Sequence, residues 1–125
     1  MRVMKNYVDG FVLPIPKEHL EEYTSVVEAV AEIWKEHGAL EYHECIADDL
    51  NLEGTRSFPD MVGANEEEIV VFGWVVFDSK ESRDIANKKV ASDPRMSKLV
   101  DPLVDSSRLI FNASRMAYGG FKSLT

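Results

Sequence analysis

The sequence is short of cysteine, of basic residues and of long apolar runs, and each shortage excludes something. A single cysteine, Cys45, can form neither an intrachain disulfide nor a Cys-x-x-Cys redox or zinc motif, so packing alone must hold the fold. The longest apolar run, Ile69 to Phe77, falls far below the ~20 residues of a membrane span. The opening M-R-V-M-K-N lacks the apolar core of a signal peptide, and a cytoplasmic location is the default expectation. Fourteen Lys and Arg against 22 Asp and Glu give a net charge of −8, which repels phosphate backbones and anionic lipid; neither nucleic acid nor a membrane is an expected partner. The deficit is uneven. Met1 to Val62 carries 5 basic and 13 acidic residues, whereas Gly63 to Thr125 carries 9 of each, so an anion site belongs in the second half.

What is present describes a folded domain. Hydrophobic residues make up 45% and charged ones 29%, too apolar for disorder. A chain of 125 residues buries about two-thirds of its unfolded surface, enough for one core, and 1–125 is read as a single domain. Tyr7 to Leu13 reads as a strand closed by Pro14 and Pro16. Leu20, Tyr23, Val27, Val30, Trp34 and His37 then recur at steps of three and four, an amphipathic helix ended by Gly38. Leu40 to Ile46 alternates as a second strand and Ile69 to Phe77 forms a third. The connection 48–68 between them is longer than a hairpin needs and is read as containing extended structure. Asp78 or Ser79 caps a second helix over about Lys80 to Ser92, ended or kinked by Asp93-Pro94, and Met96 to Val104 adds a helical turn or two. Arg115 to Leu124 closes the order as a strand with a Gly-Gly bulge or close approach.

Strand, helix, strand, strand, helix, strand predicts an α+β, ferredoxin-like βαββαβ antiparallel sheet with both helices on one face. The third strand is apolar at nearly every position, so the uncovered face also wants burial, and a homodimer that packs two sheets together is the simplest partner.

Y-V-D-G-F-V-L-P-I-P-K, W-K-E-H-G-A-L-E-Y, V-V-F-G-W-V-V-F-x-S-K-E-x-R-D-x-x-N, S-D-P-R-M and R-M-A-Y-G-G-F together resemble the YbaA-like family of uncharacterised bacterial proteins, over nearly the whole chain. The resemblance implies a dimeric α/β-barrel fold and no established activity. The wider superfamily it implies holds cofactor-free monooxygenases, heme-degrading enzymes, muconolactone isomerases and ligand-binding modules, so fold analogy does not choose among them. One departure from the family pattern lies at Asp101 through Asn112, which is longer here, and no role is assigned to that segment.

Chemistry-bearing residues are few. Asp9 is a carboxylate inside an apolar strand and must be solvated, paired or set in a pocket; Arg83, Asn87, Arg95 and Arg115 are candidate partners. His37, in the last helical turn, serves either the helix dipole and a terminal carbonyl or a general base. Glu41, His43 and Cys45 share one strand face about 7 Å apart, but three ligands from one straight strand make a lopsided metal site, and no metal or cofactor is expected. Trp34, Tyr42, Phe58, Trp74, Tyr118 and Phe121 supply core, interface or the walls of an apolar pocket.

Candidate catalytic residues are therefore Asp9, His37, Tyr42 and Tyr118, and candidate ligand contacts are Trp34, Trp74, Arg83, Asn87 and Arg115. Three functions remain open: a protein that binds a small apolar or aromatic molecule, a cofactor-independent monooxygenase- or isomerase-like enzyme, and a structural or protein-interaction dimer without a ligand. Ligand binding is preferred, because no recognisable acid-base or nucleophilic constellation is present.

Overall fold

The computed structural model describes residues 6–125. Four strands, β1 (Tyr7–Pro16), β2 (Glu41–Ile46), β3 (Glu68–Phe77) and β4 (Ala117–Lys122), form one antiparallel sheet in the order β2-β3-β1-β4. That order is ferredoxin-like, as expected. Helix α1 (Leu20–Glu36) follows β1, a short helix α2 (Phe58–Val62) interrupts the β2–β3 connection, and α3 (Lys80–Ala91) and α4 (Pro94–Val100) lie between β3 and β4.

Alternation along each strand sorts the side chains. Tyr7, Phe11, Leu13 and Ile15 of β1 join Val71, Val75 and Phe77 of β3 in one core under α1 and α3, which contribute Tyr23 and Ala86. Ser79 is the residue that caps α3, its hydroxyl accepting from the Ser82 amide at 3.0 Å, and the Asp93 carboxylate caps α4 through the Arg95 amide at 2.9 Å. Gly38 has φ +120°, the backbone expected of the residue that turns α1 into β2.

Three local expectations are corrected. Pro14 lies inside β1, which runs on past Leu13 and ends at Pro16. The pairing with β4 stops at Val12, so beyond that point β1 is a sheet edge on one side, where a residue without an N–H donor loses no ladder bond. The 48–68 connection contains a helix where extended structure was expected: Ser57 caps α2, with its hydroxyl accepting from the Asp60 amide at 3.2 Å. The last strand starts at Ala117, because Ala113–Arg115 forms a 3₁₀ turn capped by Asn112.

The Gly-Gly pair of β4 is a close approach with no bulge. Register runs unbroken through Gly10↔Gly119 and Asp9↔Gly120, and a Cβ on Gly120 would stand 2.3 Å from the Tyr7 hydroxyl oxygen. On the face away from α1 and α3, α2 packs over β1, and Phe58 lies 6.0 Å from Phe72. Elsewhere on that face Val76 is buried, while Phe72 and Phe121 are 41% and 62% exposed. No helix among the described residues is long and apolar enough to cross a membrane.

Candidate functional site

Between the sheet and α1 lies a cavity of about 260 Å³. Val26, Val27, Val30 and Trp34 of α1 form its roof, while Phe11, Val75 and Tyr42 form its floor. Met96 and Val100 of α4, together with Leu103, Phe111 and Met116 after it, close one side, and Tyr118 stands half-exposed beside them. The wall is apolar because each of these elements turns its core-facing stripe inward.

One charged group breaks that wall. Glu44, on the helix-facing side of β2, accepts hydrogen bonds from the Tyr23 hydroxyl on Oε1 and from the Tyr42 hydroxyl on Oε2, the second at 2.5 Å. Burial and then the neighbouring carboxylate push both tyrosine pKa values well above their ordinary range, so both hydroxyls stay protonated and donate. The carboxylate is thereby fixed from two sides, once from α1 and once from its own strand.

A second polar group lies at the β1–β4 end of the cavity. Asp9 is fully buried, and Tyr118 donates its hydroxyl to Asp9 Oδ2. The Tyr118 ring is at the surface while its hydroxyl reaches inward; burial of that end and the bond to Asp9 raise its pKa. Arg83 Nε stands 3.6 Å from Asp9 Oδ1, an ion pair too long for a hydrogen bond, and neither of these atoms has a hydrogen-bond partner among the described residues. Arg83 Nη2 donates to the Tyr7 hydroxyl at 3.1 Å, and the guanidinium carbon lies 5.1 Å from the Tyr7 ring centre. Of the four candidate partners for Asp9, the fold delivers Arg83.

The fold thus brings Trp34, Tyr42 and Tyr118 to one cavity, with Asp9 and Arg83 behind Tyr118. The other candidates lie elsewhere. Trp74 is on the opposite face of the sheet, stacked on His43 at 4.7 Å. Arg115 is paired with Glu68 and donates to the Gly63 carbonyl at 2.7 Å. Asn87, half-buried on α3, does not line the cavity. His43 binds Glu41 at 2.9 Å, and among the described residues no three His, Cys, Asp or Glu side chains converge as metal ligands.

His37 ends α1, but its partner is the Asp93 carboxylate at 2.8 Å, not a terminal carbonyl. Arg95 binds the same carboxylate, and its hydrogen bonds, then that of His37, then the Arg95 amide hold the Asp93 pKa far below its ordinary value of 3.8. A carboxylate depressed by folding contributes stability that is complete above its unfolded pKa and is lost as pH falls toward the folded one. Asp93→Asn is therefore expected to flatten the fall in stability below about pH 3.8, leaving the neutral-pH curve nearly parallel to wild type. Urea midpoints measured from pH 6 down to pH 2 check this, and an unchanged acid limb contradicts it.

Two residues of the site, Tyr23 and Glu44, were not among the sequence candidates. A signal was present: Glu44 shares with Tyr42 the strand face opposite His43, and Tyr23 lies on the apolar stripe of α1. What no local pattern supplies is that the two faces meet.

The family model for a protein of unknown function, DUF1428, matches residues 6–106. The uncharacterized protein YbaA of Escherichia coli K12 is 41% identical over 118 residues, spanning 94% of this chain and 96% of that protein, and YbaA of Shigella flexneri matches equally. Among solved structures, a nipsnap family protein with unknown function from Agrobacterium tumefaciens superposes with a TM-score of 0.59 at 16% identity, over 98% of this chain and 91% of that one. A dimeric ferredoxin-like protein from an uncultured marine organism superposes with a TM-score of 0.52 at 10% identity, over 97% and 90%. At such identities these likenesses speak to the fold alone.

Proposed function

The chain belongs to the DUF1428 family of proteins of unknown function, and from that premise we propose that it is a homodimer that binds a small, largely apolar molecule in the cavity under α1. The observation that carries the reading is the cavity itself. Ligand sites are concave and largely apolar with a few placed polar groups, and here a half-open space of about 260 Å³ lies beneath a helix, walled by apolar and aromatic side chains with one fixed carboxylate. A space of this size suits a single ring carrying a short alkyl chain.

Dimerisation rests on the other face. Phe72 and Phe121 are exposed there and the partly exposed Trp74 lies against Phe72, and a two-fold partner that lays its own sheet against this face covers these rings on both protomers. The likeness to a solved protein described as dimeric and ferredoxin-like supports the same arrangement.

Neutral 2-phenylethanol tests the ligand half. In a two-dimensional amide NMR titration its shifts are expected to cluster on Val27, Val30, Trp34 and Tyr42, and Val27→Phe, which fills the roof, is expected to abolish them. Shifts elsewhere, or an unchanged response in Val27→Phe, overturn the cavity reading. Light scattering on the same sample reports a dimer; a monomer at micromolar concentration overturns the dimer half.

A further inference from the structure

Resting on the reading of the cavity as a ligand site, we propose that its occupant is a small organic cation: an ammonium group seated on Glu44, carrying an aromatic or branched apolar body that fills the space beneath α1. The electrostatic asymmetry of the wall points there. Among the described residues lining the cavity, Glu44 is the only charged one and none is Lys, Arg or His. None of the ion pairs among the described residues involves it. Its two tyrosine partners are neutral donors held in their protonated state. They orient the carboxylate without neutralising it, and each oxygen retains acceptor capacity beyond the one bond it receives.

The consequence appears when the cavity fills. Any occupant strips water from a half-buried carboxylate, and a charge removed from water without a counter-charge is costly. A neutral occupant leaves that cost standing, and an anion adds repulsion. An ammonium closes an ion pair at the point where the carboxylate is already aimed. The rest of the wall favours the same charge, because Phe11, Tyr23, Trp34, Tyr42 and Tyr118 can present ring faces, which attract cations. Arg83, the cation of the Asp9–Tyr118 network, is already engaged by Asp9, Asp84 and Tyr7 and does not line the cavity. Long-range attraction adds to this: α1 and β2 belong to the half of the chain with 13 acidic and 5 basic residues.

Three ligands of one shape separate charge from size: 2-phenylethylamine, 2-phenylethanol and phenylacetate, titrated calorimetrically into the full-length protein at neutral pH and low salt. The amine is expected to bind about tenfold tighter than the alcohol, with phenylacetate weakest. In Glu44→Gln, which keeps the shape and one acceptor oxygen, the amine is expected to lose about tenfold while the alcohol changes less than about threefold. Should that variant fail to fold, Tyr42→Phe keeps the charge, frees one side of the carboxylate and is expected to weaken the amine alone, by a few-fold.

The alcohol binding as tightly as the amine overturns the cation assignment and leaves the cavity reading intact. An amine preference that survives in Glu44→Gln also overturns it. Failure of all three ligands to bind removes both.

Discussion

Asp9→Ala is expected to lower the unfolding free energy by about 3 kcal/mol, the lower end of the range for breaking a buried ion pair. Asp9 has no exposed surface, and its carboxylate faces Arg83, whose side chain is only 18% exposed, and the Tyr118 hydroxyl. Truncation leaves a poorly hydrated guanidinium and a buried hydroxyl that has lost its acceptor. The loss stays near the lower end because Asp84 Oδ1 stands 3.4 Å from the same Arg83 Nε and supplies part of the missing charge.

Two further variants identify the cause. Asp9→Asn keeps an oxygen for Tyr118 but removes the charge, and a smaller loss of about 1.5 kcal/mol is expected, the share that belongs to one charge-assisted contact. The double replacement Asp9→Leu with Arg83→Met removes both charges into an apolar surround and is expected to recover most of the alanine loss, because an isolated buried charge costs more than none. Urea unfolding of the four proteins reads all of this. An alanine variant within about 1 kcal/mol of wild type contradicts the assignment of Asp9 as a buried structural anchor.

That anchor also explains how the site and the fold share residues. The Tyr118 hydroxyl is tied to Asp9 while its ring stacks along Phe11 with centroids 6.2 Å apart, so the edge of the cavity is held by a network reaching through β1 to α3. Relaxing Asp9 therefore loosens the cavity wall as well as the core.

Legibility in the sequence followed the range of the interaction. Helix α1 was readable because Leu20, Tyr23, Val27, Val30 and Trp34 repeat within one element and Gly38 stops it, all of which are local signals. Both long strands were readable from their apolar patterning, and their order then followed from the short list of topologies that fit. The C-terminal extent of β1 was not readable, since whether Pro14 harms a strand depends on how far β4 extends beside it, and β4 begins 103 residues later, at Ala117. The same holds for the site. Trp34, Tyr42 and Tyr118 were visible as aromatic or polar oddities, but Glu44 acquires meaning only when Tyr23, 21 residues earlier, is folded onto it. Trp74 and Arg115 looked equivalent to them by residue type alone; strand parity placed the first on the opposite face, and Glu68 claimed the second.

Gly73→Ala is expected to destabilise the protein by about 2 kcal/mol, against the ordinary sign of that substitution. In a strand, replacing glycine with alanine normally gains about 0.5–1 kcal/mol, because the unfolded chain has less freedom to lose. Gly73 is buried in β3, opposite Phe11 of β1 and Glu44 of β2. A Cβ there would stand 2.2 Å from Phe11 Cζ, 2.6 Å from Phe11 Cε2 and 2.8 Å from the His43 carbonyl oxygen. The first two contacts are to a ring that can swing; the third is to backbone of the neighbouring strand, which can move only by opening the ladder. Overpacking of this kind costs about 1–3 kcal/mol, and the backbone contact puts the value at the upper end before the entropic gain is subtracted.

The ring's escape is the functional half of the prediction. Phe11 forms part of the cavity floor, so a ring displaced by the new methyl group moves at the expense of the space beneath α1. Gly73→Ala is thus expected to weaken 2-phenylethanol binding at least as much as it lowers stability, although no polar group of the site has changed. Adding Phe11→Leu relieves the ring but not the carbonyl contact, so it is expected to return ligand access more fully than stability. A Gly73→Ala protein as stable as wild type, with ligand binding intact, would show that β3 tolerates a side chain at this position and that the Phe11 ring is not what sets the floor of the cavity.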